Sequence, residues 1–326
     1  MDWRSRLAEG VSCCQLAASN IDERTEKLRW ALARLPLPSD AEASHDARVA
    51  LRRLRAASVG FADCLARPKR WRRQLRRAEK DLGGLRDAEV RLELLDEVLG
   101  PVAVSRDRSD DPRLASGLPG AVVTDPASGI RPGLRGLEME ARRALADSTA
   151  TEVDELRLRV LSESSLERCQ KVAAPPQWRR GHRGSLQLAL AAEQLPPLFR
   201  RAGRRTRSEA ELHHRRGEIR KLRYRLELFA PLLEAGHVTV LRELRELQSR
   251  LGRFHDLVVL AEWIEASSRE LRHELRPALR RMALRVELER QVTKEAAETE
   301  LDRLDQAGWW TTAQAACLGG TEPKLG

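Results

Sequence analysis

Apolar residues recur along this chain at helical spacing, the mark of amphipathic helices that bury one face. The first such stretch begins near Leu7, runs through Leu28, Leu32 and Leu35, and ends at Pro36-Leu37-Pro38. A second covers about 44–65 and stops before Pro68; a third covers about 71–99, where Gly83-Gly84 predicts a kink or a close approach. The pattern resumes over about 134–169 and breaks at Pro175-Pro176. It then returns as four helices near 185–201, 211–233, 238–267 and 271–306. Between the third and fourth helices, residues 100–133 hold five glycines and five prolines, the composition of a flexible insertion. The predicted organisation is therefore all-α. Residues 1–100 give three helices, 101–133 an insertion and 134–172 a fourth helix. Residues 173–308 give a second four-helix bundle, and 309–326 a C-terminal tail.

Four helices, a break and four more suggest duplication, which can be tested by laying the halves together. His45-Asp-Ala-Arg48-Val-Ala-Leu51-Arg52-Arg53-Leu54-Arg55 aligns with His213-His-Arg-Arg216-Gly-Glu-Ile219-Arg220-Lys221-Leu222-Arg223 at an offset of 213 − 45 = 168. Phe61 and Phe229 share that offset. In the following helix, Leu82-Gly83-x-x-Arg86-Asp87 aligns with Leu251-Gly252-x-x-His255-Asp256 at 251 − 82 = 169. Two ordered motifs at nearly one offset exceed chance agreement, even in an arginine-rich chain.

Composition agrees with helices: Leu, Ala, Arg and Glu dominate, and aromatic residues are only 4%. Lys and Arg number 59 against 49 Asp and Glu, a balance that points to a polyanionic partner without naming one. The five cysteines are scattered and include no Cys-x-x-Cys, which argues against a zinc site or a disulfide framework and for a reducing cytoplasm. No apolar run is long enough to span a bilayer, so membrane insertion is not expected.

The charge is ordered as well as abundant. At 100° per residue, His45, Arg48, Arg52 and Arg55 fall within an arc of about 80°, with Arg53 to one side. Leu51, Leu54 and Phe61 form the adjacent apolar stripe, so the basic face borders the core rather than opposing it. His213, Arg216, Arg220 and Arg223 repeat the arrangement, with Lys221 in the place of Arg53. The next helix of each half adds a secondary basic set, Arg73, Arg76 and Lys80, then Arg242 and Arg245. From His45 to Lys80 there are twelve Arg or Lys residues and three acids, a self-repulsion that an anion would relieve. Each basic helix follows a capping-box pattern, Ser39-x-x-Glu42 and Ser208-x-x-Glu211, which sets the positive end of a helix dipole near the histidine.

Arginine-rich helices are more often solvated faces than sites; the scarcity of interleaved acids and the repetition favour a site here. An enzyme must also be weighed, since His45-Asp46 and His255-Asp256 are similar to the metal-binding pair of helical phosphohydrolases. Such a centre needs further converging ligands, which the sequence does not supply. Nucleic acid is the stronger rival, but only Trp71 and Tyr224 lie near the basic clusters, too few for base stacking.

The helix opening His-x-x-Arg-x-x-x-Arg-Arg-Leu-Arg, followed by Leu-Gly-x-x-Arg-Asp, resembles the first half of a CHAD domain. Ile219-Arg-Lys-Leu-Arg-Tyr-x-Leu-Glu-Leu-Phe229 resembles the second half. That resemblance implies two pseudo-twofold-related four-helix bundles around a basic central cavity that binds inorganic polyphosphate without catalysis. It implies no cofactor and no metal, and a cytoplasmic protein associated with polyphosphate granules. By motif it assigns binding to His45, Arg48, Arg52, Arg53, Arg55, His213, Arg216, Arg220, Lys221 and Arg223. Gly217, His255 and the long insertion depart from the family pattern, and none of them removes a basic group from the motif.

Overall fold

The structure, a computed structural model, describes residues 13–37, 40, 42–99, 132–174, 176–178, 188–205 and 208–319. Most of the expected insertion, 101–131, lies outside these residues, as does Ser39 of the first capping box. The first half contributes α1 (Cys13–Arg34), α2 (Glu42–Gly60), α3 (Pro68–Leu99), α4 (Pro132–Val160) and α5 (Glu163–Val172). The second contributes α6 (Leu188–Ala202), α7 (Glu209–Phe229), α8 (His237–Glu270), α9 (Arg276–Gln306) and α10 (Trp309–Leu318). The chain is all-α, as its pattern predicts.

Local chemistry accounts for the boundaries and for where they differ from expectation. Pro68 opens α3, where a missing N–H costs nothing. The helix then runs unbroken through Gly83-Gly84, without the expected kink, and a Cβ at Gly83 would meet nothing within 4 Å. Arg48 Nη1 donates to the Gly83 carbonyl at 3.2 Å, and Leu156 of α4 lies 3.5 Å from where a Gly84 Cβ would stand. The fourth predicted helix is two helices. Ser162 adopts an extended conformation (ψ 145°), and its carbonyl accepts from Ser165 N and Leu166 N to start α5. At the head of α7 the Ser208 side chain accepts from Glu211 N at 3.3 Å. Near the head of α2, Asp40 Oδ1 accepts from Ala43 N at 3.1 Å.

The stretch expected as a tail carries α10, docked by buried Trp310, Ala313 and Cys317. Gly308 turns the chain into it at φ 61°. Trp310 Nε1 donates to Asp305 Oδ1 at 2.8 Å. The same carboxylate takes a bidentate ion pair from Arg215, with both side chains almost wholly buried.

The apolar core does not divide at the boundary between the sequence halves. One cluster joins α1, α2 and the N-terminal part of α3 to α6, α7, α10 and the N-terminal part of α8. A second gathers the C-terminal parts of α3 and α8 with the N-terminal parts of α4 and α9. Helices α2 and α7 pack directly on each other, and α3 packs on α8. Four helices, two from each half, thus lie side by side where the arginine motifs reside. No helix among the described residues is long and apolar enough to cross a membrane.

Candidate functional site

Between α2, α3, α7 and α8 opens a cleft of about 730 Å³. Its walls are built by the helix faces that sequence periodicity singles out: His45, Arg48 and Arg52 from α2, and His213, Arg216, Arg220 and Arg223 from α7. Leu51, Leu54, Ile219 and Leu222, one step round each helix, are fully buried and hold those faces in place. From α3 and α8 come Arg86, Arg91, Arg245, Arg253 and His255. Among the described residues, nine arginines and three histidines line the cleft with four carboxylates, Asp87, Glu93, Glu97 and Asp256. Cationic charge exceeds anionic by five before any histidine is protonated.

The arginines are not equally satisfied. Arg48 pairs with Asp87 at 2.7 Å, Arg86 with Glu93 at 2.9 Å, Arg253 with Glu97 at 2.6 Å, and Arg223 with Glu227 at 3.1 Å. Arg52 reaches Glu79 only at 3.9 Å. Arg216 and Arg220 have no ion-pair partner among the described residues, and the Nε atoms of Arg48, Arg52, Arg216 and Arg223 are buried without an acceptor there. Burial lowers the guanidinium pKa of Arg220, and the charges of Arg52 and Arg216 lower it further. Arg216 is depressed by burial too, partly offset by Asp256. These groups nevertheless stay charged at neutral pH. They are partly desolvated cations facing one another across a hollow.

Two histidines respond to the same surroundings. Burial, then the Arg86 charge, lowers the His45 pKa. Burial, with Arg216 and His213 adding to it, pushes His255 down to about 4. The His213 and His255 rings lie 4.8 Å apart at 54°. In the unliganded protein, His45 and His255 are thus set toward the neutral form, a charge that an entering anion can call up.

Other predicted site residues lie off the cleft. Arg53 and Lys221 stand 100° round their helices from Arg52 and Arg220, and the fold turns them away. Arg53 lines a smaller pocket of about 250 Å³ and pairs with Glu227 at 3.2 Å. Lys221 is exposed and pairs with Glu218. Arg55, though within the arc of Arg48 and Arg52, is held by Glu79. Of the secondary set, Arg245 lines the cleft and reaches Glu227 at 3.6 Å. Arg73, Arg76 and Lys80 lie N-terminal to the stretch of α3 that enters the cleft, and like Arg242 they are exposed. Sequence reasoning missed Arg86, Arg91, Arg253 and His255 as site residues. The Leu-Gly-x-x-Arg/His-Asp motif carries the signal for Arg86 and His255, but in the sequence it marks the repeat, the family resemblance and a candidate metal pair rather than an anion site.

Gly217 also lines the cleft, and a Cβ added there would meet nothing within 4 Å. Among the described residues, no group of three or more His, Cys, Asp or Glu is placed to hold a metal ion.

A family model described as the CHAD domain matches residues 21–265, three quarters of the 326-residue chain. The fold is similar to the crystal structure of the CHAD domain from the plant Ricinus communis. That likeness has a TM-score of 0.61 at 18% identity and covers 90% of this chain and 92% of that one. It is also similar to PptA from Streptomyces chartreusis, with a TM-score of 0.60 at 16% identity, over 91% of this chain and all of that one. Among curated proteins, none matches the chain.

Proposed function

The chain belongs to the CHAD domain family, and from that premise we propose that it binds inorganic polyphosphate, without cleaving it, in the cleft between α2, α3, α7 and α8. The observation that carries this reading is the group Arg52, Arg216 and Arg220. These are partly buried arginines, contributed by both halves, that face one hollow with too few carboxylates to neutralise them. Phosphate oxygens match the guanidinium fork, and a polyphosphate offers one such group after another along a narrow, flexible chain. The Arg216–Arg223 stretch of α7, with both ends in the cleft lining, rises about 10 Å, enough to engage several successive phosphates. Arginines that now pair with Asp87, Glu93 and Glu97 can exchange a carboxylate for a phosphate as the chain enters.

Among the described residues, the cleft lining is poor in the aromatic surfaces that single-stranded nucleic acids use, its only rings being the three imidazoles. Phosphate contact without base contact suits polyphosphate better than nucleic acid, with other polyanions as weaker ligands. Binding without hydrolysis is proposed with it. A cytoplasmic location and association with polyphosphate granules belong to the same proposal.

The test is competition. Long-chain polyphosphate and duplex DNA are titrated against the same protein at matched salt, with free phosphate followed throughout. Polyphosphate should win, with steep salt dependence and no phosphate release above background. Preference for DNA, or release that survives purification and is lost in His255→Ala, would overturn the reading.

A further inference from the structure

Away from the cleft, α9 leaves Leu284, Leu288 and Val292 exposed at 63%, 69% and 63%. They follow at four-residue steps, so Leu284 and Val292 fall about 40° to either side of Leu288. The other large apolar side chains left exposed among the described residues are scattered over α1, α2, α4, α8 and one loop. This row is therefore a ridge rather than the ordinary scatter of surface leucines.

Hollows flank the ridge. One of about 710 Å³ includes Ile264, Leu279, Ala283 and Leu284 in its lining. Another of about 390 Å³ includes Val98, Leu288 and Val292. A ridge beside grooves of its own size is the surface on which helices interdigitate.

The charges along this face name the occupant. Seven residues before Leu288 stands Arg281, half-exposed, and seven after it stands Glu295, exposed; both positions fall within about 20° of Leu288. Turning the helix end for end about Leu288 lays Arg281 on Glu295 and Leu284 on Val292. Laying two copies parallel would set Arg281 on Arg281 and Glu295 on Glu295. An unrelated partner would not require this end-to-end antisymmetry; a second copy does.

We propose that the chain pairs with a second copy of itself through α9, antiparallel, with Leu288 on the two-fold axis. The α9 helix of 31 residues is about 46 Å long. A single helix face is a smaller contact than the extensive interfaces of obligate dimers. The proposed pairing is therefore a reversible one, with dissociation on the order of micromolar.

Sedimentation velocity of the full chain from ~1 to ~200 μM tests it, since a micromolar dimer crosses from monomer to dimer in that window. Leu288→Lys, which sets two ammonium groups together on the axis, should weaken pairing at least tenfold. Glu295→Arg and Arg281→Glu should each weaken it alone, and mixing the two variants should restore it, because each then meets its complement. Helical circular dichroism checks each fold; should Arg281→Glu lose helicity, Glu295→Arg decides by itself and must weaken pairing. A monomer at every concentration overturns the proposal, as does pairing indifferent to Leu288→Lys. So does a mixture of the two charge variants that pairs no better than either alone.

Discussion

Phe61 and Phe229 meet edge to face, with ring centroids 6.0 Å apart and planes at 88°. They stand at equivalent places in the two copies of the basic motif, just beyond Gly60 of α2 and at the end of α7. A Cβ on Gly60 would stand 2.3 Å from Leu228 Cδ2, so the helix ends approach as closely as glycine allows. This contact joins the ends of the two helices that carry the arginine rows.

Truncation at this contact should therefore affect both folding and binding. Phe61→Ala and Phe229→Ala are each expected to cost about 3–5 kcal/mol in urea unfolding, the usual loss for a buried phenylalanine. The double variant should fall short of the sum, since a ring pair contributes about 0.5–1.5 kcal/mol beyond burial. Strict additivity would mean that the two rings do not act together.

The pair Arg215–Asp305 carries a second expectation. Its two bonds, 3.0 and 2.6 Å, are made where both side chains are at most 4% exposed, and Arg215 Nε also donates to the Ala202 carbonyl at 2.8 Å. Removing one partner strands a buried charge, so Asp305→Ala should destabilise by about 3–5 kcal/mol. Urea unfolding of that variant checks it; a loss below 1 kcal/mol would show that water reaches the stranded guanidinium.

Most of this architecture was legible because the helices are long and their apolar periods strong. The arginine faces were legible for the same reason: position on a helix fixes direction, so 45, 48 and 52 could be placed together before any coordinates. Two features escaped. Helix α10 is short, and the Trp309-Trp310 pair that anchors it finds its contacts on Asp305, Glu243 and Gly203, far apart in sequence or across a turn. The pairing of Arg55 with Glu79, and of Arg53 with Glu227, depends on carboxylates from other helices, which periodicity cannot locate. The same limit hid the contribution of Arg86 and Arg253, whose place in the cleft depends on how α3 and α8 pack against α2 and α7.

Arg220 should behave as a residue kept at a cost to stability. It is partly buried beside Arg52 and Arg216, with no ion-pair partner among the described residues. Arg220→Met preserves much of the side-chain volume while removing the repulsion, so the unliganded protein should gain about 0.5–2 kcal/mol. Polyphosphate affinity should fall at the same time. Thermal melts with and without ligand read both effects; a variant less stable without ligand would show that Arg220 is held by contacts rather than tolerated.

Proton linkage gives the fourth expectation. His255 titrates at about 4 in the folded protein, well below the ordinary value of 6.5, and His45 is shifted the same way. Between those values the unfolded chain binds more protons than the folded one. His255 therefore contributes stability that is complete above pH 6.5 and lost as pH falls toward 4, and His45 contributes in the same direction. A polyanion in the cleft reverses the local field and raises both pKa values, so binding takes up protons and strengthens as pH drops from 7 toward 5.5. Calorimetry at pH 6 in two buffers of different ionisation enthalpy counts those protons. Zero uptake would place the ligand away from His45 and His255.

The most direct measurement is calorimetric titration with a polyphosphate long enough to span the cleft, on the unaltered protein and three variants. One carries Arg48→Ala with Arg52→Ala, one carries Arg216→Ala with Arg220→Ala, and one carries all four changes. If both rows grip a single ligand, the stoichiometry is one chain per protein and each half-variant loses affinity at least tenfold. The four-fold variant should then depart from the sum of the two losses, since groups sharing one ligand are seldom additive. Two chains bound per protein, with each half-variant losing one site and leaving the other at full affinity, would contradict a shared cleft.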